Sequence, residues 1–234
     1  MSVATITQEP VVLRDGPARN IIESVIIGVV LTGLSYLIGF YFGWITTVSP
    51  LEAFAVLTSY SCTYLCVRER RINYPIGAVS NAAYALLFYS FGLMGSAVVT
   101  AYLTISLVYG WFRWKDDSNT KPVAFVEAKW WPVYILATAL AFLGGFGLYH
   151  LLGAAVVWTD LAVMAGSILA QFLMDNKKME SWIVWAIVNV FAIYTYMTSG
   201  LFIAGVQYIF FLGNAFYGWY CWNKSRKATI TEEV

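Results

Sequence analysis

The chain has 234 residues, of which 60% are apolar and 12% charged, and its formal net charge is +1. Soluble domains carry about 25% charged residues; here apolar runs of membrane-crossing length recur along the chain, which argues against a water-soluble enzyme and for a membrane protein. The single histidine, His150, and the three cysteines form no ligand cluster, so metal and disulfide chemistry are not expected.

Residues 1–19 are mixed in composition, contain Pro10 and Pro17, and read as a cytoplasmic tail rather than a signal peptide. Eight candidate spans follow: 20–42, 50–67, 74–91, 95–112, 130–149, 156–174, 181–198 and 201–222, with a second cytoplasmic tail over 223–234. At the second span, Ser49-Pro50-Leu51-Glu52 is a capping box with proline at the first helical position. The basic residues fall before span one, between spans two and three, four and five, six and seven, and after span eight. All 14 therefore lie on one side, which places both termini in the cytoplasm.

The chain also repeats. Residues 37–126 overlie residues 145–234 at a fixed offset of 108, without a gap. Gly39 meets Gly147, Ser59 meets Ser167, Asn81 meets Asn189, Gly92 meets Gly200, and Tyr109-Gly110-Trp111 meets Tyr217-Gly218-Trp219. The offset spans four helices, an even number, so the copies run parallel. The predicted fold is an all-α integral membrane protein with eight transmembrane helices. Two parallel three-helix bundles, 50–112 and 156–222, are joined by a linker helix at 130–149, in a 3+1+3 arrangement. The helix at 20–42 is extra. Glu52 and its counterpart Asp160 are placed in the first turns of their helices, where the helix dipole favours an acid, rather than at a proton site in mid-membrane.

At about 100° per residue, Trp182, Trp185, Asn189 and Tyr196 lie within roughly 60° on span seven. Trp182 also fits an interfacial anchor. Asn189, near mid-span, either contacts a ligand or bonds a neighbouring helix. Asn81 and Tyr84 share a face on span three, where Tyr74 and Gly77 stand at the positions of Trp182 and Trp185. Span eight adds Gln207, Asn214 and Tyr217. Trp111 and Trp114, with their counterparts Trp219 and Trp222, read first as interface belts and second as parts of a cytoplasmic gate. Asp116, Asp117 and Asn119 read as a solvated loop. Amides, phenols and flat rings without a charge deep in a span suit a neutral or mildly cationic molecule bearing an aromatic ring and hydroxyls. No catalytic constellation appears, so an enzyme is not expected.

Trp182-x-x-Trp185 followed by Asn189, Asn81-x-x-Tyr84, and Asn214-Ala215-Phe216-Tyr217-Gly218-Trp219 carry a resemblance. Over about residues 20–222 the chain resembles the PnuC family of vitamin transporters, and within it those of nicotinamide riboside. The resemblance implies a SWEET-like architecture and facilitated diffusion of nicotinamide riboside across the bacterial inner membrane. It also implies a homotrimer and a cytoplasmic kinase that traps the riboside by phosphorylation. No cofactor and no nucleic acid are implied; the partners are the small molecule and the lipid bilayer. Carried over by residue, the site comprises Trp182, Trp185, Asn189, Gln207, Asn214, Tyr217, Asn81 and Tyr84, with Tyr196 added from the span-seven stripe. Riboflavin or thiamine transport, or a receptor subunit without transport, are the alternatives.

Overall fold

The structure is a computed structural model that describes residues 16–114 and 122–232. Most of the predicted N-terminal tail, and the loop residues Lys115, Asp116, Asp117, Asn119 and Lys121, lie outside the described residues. Eight α-helices follow in order: α1 (Pro17–Tyr41), α2 (Pro50–Val67), α3 (Asn73–Ser90), α4 (Met94–Arg113), α5 (Trp131–Leu151), α6 (Trp158–Asp175), α7 (Ser181–Thr198) and α8 (Phe202–Glu232).

Local chemistry explains the boundaries. The Ser49 side chain accepts the Glu52 backbone N–H at 3.4 Å, so the predicted cap starts α2, and α6 starts after Val157 with Asp160 in its first turn. The largest departure from the predicted spans is α8. It runs ten residues past 222, where Lys224, Arg226, Lys227 and Ala228 are good helix formers, so the helix continues into the polar segment.

The helix ends repeat as the sequence does. Among the described residues, Glu69 and Lys177, repeat equivalents, are the non-glycine residues with positive φ, at 55° and 50°. After each, the chain closes back on its helix: Arg70 N–H to Leu65 O at 2.8 Å, Lys178 N–H to Leu173 O at 2.9 Å. Glycine supplies the same left-handed step at Gly92 and Gly200, where φ is 71° and 82°.

Six helices form a ring. Contacts run α2 to α3, α3 to α4, α4 to α6, α6 to α7, α7 to α8, and α8 back to α2. Outside it, α1 packs on α2 and α8, while α5 packs on α6 and α4. These are equivalent places under the repeat, so α1 is the counterpart of α5. By length and apolarity alone, four stretches among the described residues can cross a membrane: Ala18–Tyr41, Met94–Arg113, Ala128–Leu151 and Ser181–Thr198. Helices such as α2 and α3 are less apolar because they turn Ser59, Thr63, Ser80 and Asn81 into the ring. A helix sheltered by neighbours can carry such residues where a lipid-exposed one cannot.

The ends of several helices meet on one face of the ring. Glu69 accepts from Lys177 Nζ at 2.5 Å, joining the α2–α3 and α6–α7 turns. Arg71 Nε donates to Trp111 O at 2.7 Å, and the Met179 N–H donates to Ala124 O at 3.0 Å. Trp114 and Trp222 are 1% and 0% exposed and pack on each other at 6.2 Å. This corrects the belt reading for that pair. Repeat equivalents meeting on the axis bury each other, whereas a belt residue must face lipid.

Candidate functional site

The ring encloses a cavity of about 150 Å³ lined from all six of its helices. Seven pairs of repeat equivalents contribute: Thr63 and Gln171, Cys66 and Met174, Tyr74 and Trp182, Gly77 and Trp185, Asn81 and Asn189, Leu103 and Phe211, Leu107 and Ala215. Both copies therefore face the cavity with matched positions. No Lys, Arg, Asp or Glu is among the described residues that line it.

Tyr74 and Trp182 take their places by the same device. A Cβ on Gly110 would stand 2.0 Å from the Tyr74 ring, and a Cβ on Gly218 would stand 2.5 Å from the Trp182 ring. Each ring lies against a bare backbone that only glycine allows. Trp182 is also set edge-on to Trp222 at 5.2 Å. Its indole N–H is buried and has no acceptor among the described residues.

Five of the nine predicted residues meet in this cavity: Trp182, Trp185, Asn189, Asn214 and Asn81. The other four lie elsewhere. Gln207 is fully buried; its Oε1 accepts from the Tyr84 hydroxyl and its Nε2 donates to Val56 O at 3.2 Å. That pair ties α3, α8 and α2 together. Tyr196 stacks on Phe88 at 4.9 Å, shares a 3.1 Å hydrogen bond with Ser96, and packs behind the lining residue Tyr208 at 5.0 Å. Tyr217 is 46% exposed. Among the described residues, by contrast, the side-chain amides of Asn81, Asn189 and Asn214 have no hydrogen-bond partner in the protein, although Asn189 is 3% exposed. Buried amides usually find partners, so these three remain available to a ligand.

Besides Glu69, two acids take buried positions among the described residues. Asp160 accepts the Ser96 backbone N–H at 3.1 Å and the Tyr149 hydroxyl at 2.6 Å, so it caps the start of α4 as well as sitting in the first turn of α6. Asp175, which sequence reasoning passed over, ends α6 and bonds to Tyr74 and Gln171, both on the cavity wall. Among the described residues, no group of His, Cys, Asp and Glu could hold a metal ion.

A family model described as nicotinamide mononucleotide transporter matches residues 49–224. The chain belongs to this family. It is a multi-pass inner-membrane transporter of the PnuC type, and not an enzyme. It is similar to the nicotinamide riboside transporter PnuC of Escherichia coli strain K12, with 22% identity over 210 residues, 77% of this chain and 87% of that protein. The PnuC of Neisseria mucosa is 26% identical over 198 residues, 75% of this chain and 73% of that one. A crystal structure of the vitamin B3 transporter PnuC superposes with a TM-score of 0.74 at 20% identity, covering 92% of this chain and 99% of that one. At that identity the superposition establishes the fold of this PnuC-type chain.

Proposed function

We propose that this chain carries nicotinamide riboside into the cytoplasm by facilitated diffusion. The observation that carries this reading is the contrast between committed and uncommitted amides. Gln207 is held by Tyr84 and Val56, whereas Asn81, Asn189 and Asn214 face a ring-lined cavity and have no side-chain amide partner among the described residues. Their N–H and C=O groups match a carboxamide and ribose hydroxyls. The faces of Trp182 and Trp185 match a pyridinium ring by stacking and cation–π attraction. The relatives are named for nicotinamide riboside, although the family description names the mononucleotide. We favour the riboside because no lysine or arginine is among the described cavity residues to meet a phosphate.

In this reading all eight helices span the membrane in the 3+1+3, SWEET-like arrangement, with α1 as the extra helix and both termini cytoplasmic. The two triplets rock around the axial site in alternating access. The Glu69–Lys177 pair, with Trp114 and Trp222 beside it, closes the cytoplasmic end. The protein works as a homotrimer with one path per protomer, and a cytoplasmic kinase keeps the riboside inside. Of the nine residues proposed from the sequence, Trp182, Trp185, Asn189, Asn214 and Asn81 contact the ligand. Gln207, Tyr84 and Tyr196 hold the wall behind it.

Equilibrium binding to purified protein tests this reading with nicotinamide riboside, its 5′-phosphate, riboflavin and thiamine. The riboside alone should bind tightly, and Asn189→Ala should weaken it while the protein stays folded. Tight binding of the phosphate, or of riboflavin or thiamine in place of the riboside, would overturn it.

A further inference from the structure

Asp175 is 2% exposed and accepts hydrogen bonds from the Ser106 hydroxyl at 2.6 Å, Gln171 Nε2 at 2.8 Å and the Tyr74 hydroxyl at 3.3 Å. Three donors directed at one carboxyl group match its ionised form, which accepts only. Yet no ion pair reaches Asp175 among the described residues. Lys177, two residues on, is engaged by Glu69 at 2.5 Å and lies over the Trp114 ring at 4.7 Å. A buried carboxylate without a counter-cation is costly, and a cation brought into the adjoining cavity would offset that cost.

The carboxylate also fixes the polarity of its neighbours. Because Asp175 only accepts, Gln171 must turn its nitrogen toward it, and its carbonyl oxygen is left as an acceptor. The Tyr74 hydroxyl gives its proton to Asp175, so its oxygen too has only lone pairs to offer elsewhere. Both residues line the cavity. The repeat equivalent of Asp175 is Val67, so the charge belongs to one copy alone.

We infer that Asp175 is a positioning residue for substrate charge: through Tyr74 and Gln171 it makes one end of the cavity negative and accepting. The site thus favours a cationic ring with a donor group and disfavours an anionic form of the same molecule. This rests on the transport reading above and names the residue behind its charge preference.

The test measures equilibrium binding to purified full-length wild type, Asp175→Asn and Asp175→Glu. Three probes are used: nicotinamide riboside, its reduced dihydropyridine form, which is similar in shape but uncharged, and the riboside 5′-phosphate. Asp175→Asn should lower affinity for the cationic form about tenfold relative to the neutral one. It should also narrow the gap between riboside and phosphate, while Asp175→Glu keeps most of the preference for the cation. A merely structural role would weaken the cationic and neutral forms together. That outcome, or an unchanged ratio between them, overturns the inference and leaves the transport reading standing. Wild type that binds none of the three overturns both.

Discussion

The triplets α2–α4 and α6–α8 differ in a patterned way. Where they build the frame they agree: both close their first helix with a left-handed residue, and both seat a ring against a glycine, Tyr74 on Gly110 and Trp182 on Gly218. Where they face the cavity they keep one amide pair, Asn81 and Asn189, but diverge around it: Gly77 is the counterpart of Trp185, and Thr63 of Gln171. On the axis they are complementary, with Glu69 in one copy and Lys177 in the other. A duplicated scaffold thus supplies a central cavity, and the substitutions between copies give it the asymmetry that an unsymmetrical ligand needs.

Five single substitutions and one double variant probe the difference between the copies. The largest effect is expected where the copies complement each other. Lys177→Met leaves Glu69 buried without a partner and should cost about 3–5 kcal/mol. Thermal unfolding in detergent should show it, and the charge-exchanged double variant Glu69→Lys/Lys177→Glu should recover most of the loss. A double variant no more stable than the single would mean that the pair is not interchangeable across the axis.

Next is the shared frame. Gly218→Ala places a Cβ 2.5 Å from the Trp182 ring, and overpacking of this kind costs about 1–3 kcal/mol. It should lower both unfolding temperature and ligand affinity, because the displaced ring lines the cavity. Gly110→Ala should act likewise through Tyr74. If Gly218→Ala alters neither property, the ring is not held as described.

Divergence at the wall should appear in binding rather than folding. Trp185→Ala removes a stacking face worth about 1–2 kcal/mol, so the dissociation constant should rise roughly tenfold with little change in unfolding temperature. Unchanged affinity would reject stacking. The smallest effect is expected from Tyr217→Phe, since Tyr217 lies outside the cavity wall and is 46% exposed. Affinity should stay within about twofold, and a larger loss would extend the site beyond the cavity.

Much of this arrangement was legible in the sequence because it repeats. The cap at Ser49 started α2, and the offset carried that boundary to Val157. Asn81 and Asn189 could be picked out because an amide matched in two apolar helices is a rare coincidence, and both face the cavity. A helical face, however, does not say whether a polar group finds its partner within the protein. Gln207 and Tyr84 share the cavity-side stripes of their helices but are separated by 123 residues and satisfy each other. Nothing local to either residue shows that. Trp114 and Trp222 were misplaced for a related reason: tryptophan beside basic residues marks a membrane interface, and only the meeting of the two copies buries both. Asp175 drew no attention in the sequence, because it stands at a helix end beside the polar run Asn176, Lys177 and Lys178. Its partners Tyr74 and Ser106 come from the other copy. One signal was present: Lys177 and Glu69 are repeat equivalents of opposite charge, which places a charged pair on the axis and the neighbouring acid close to it.

On the proposed function, a cationic nucleoside enters the central site and crosses the membrane without an energy source. The direct measurement is uptake into proteoliposomes lacking ATP and ion gradients, with labelled nicotinamide riboside and its 5′-phosphate in parallel. The riboside should equilibrate across the membrane while the phosphate stays outside. Equal entry of the phosphate, riboside flux that requires a proton or sodium gradient, or tight riboside binding without any flux would contradict it.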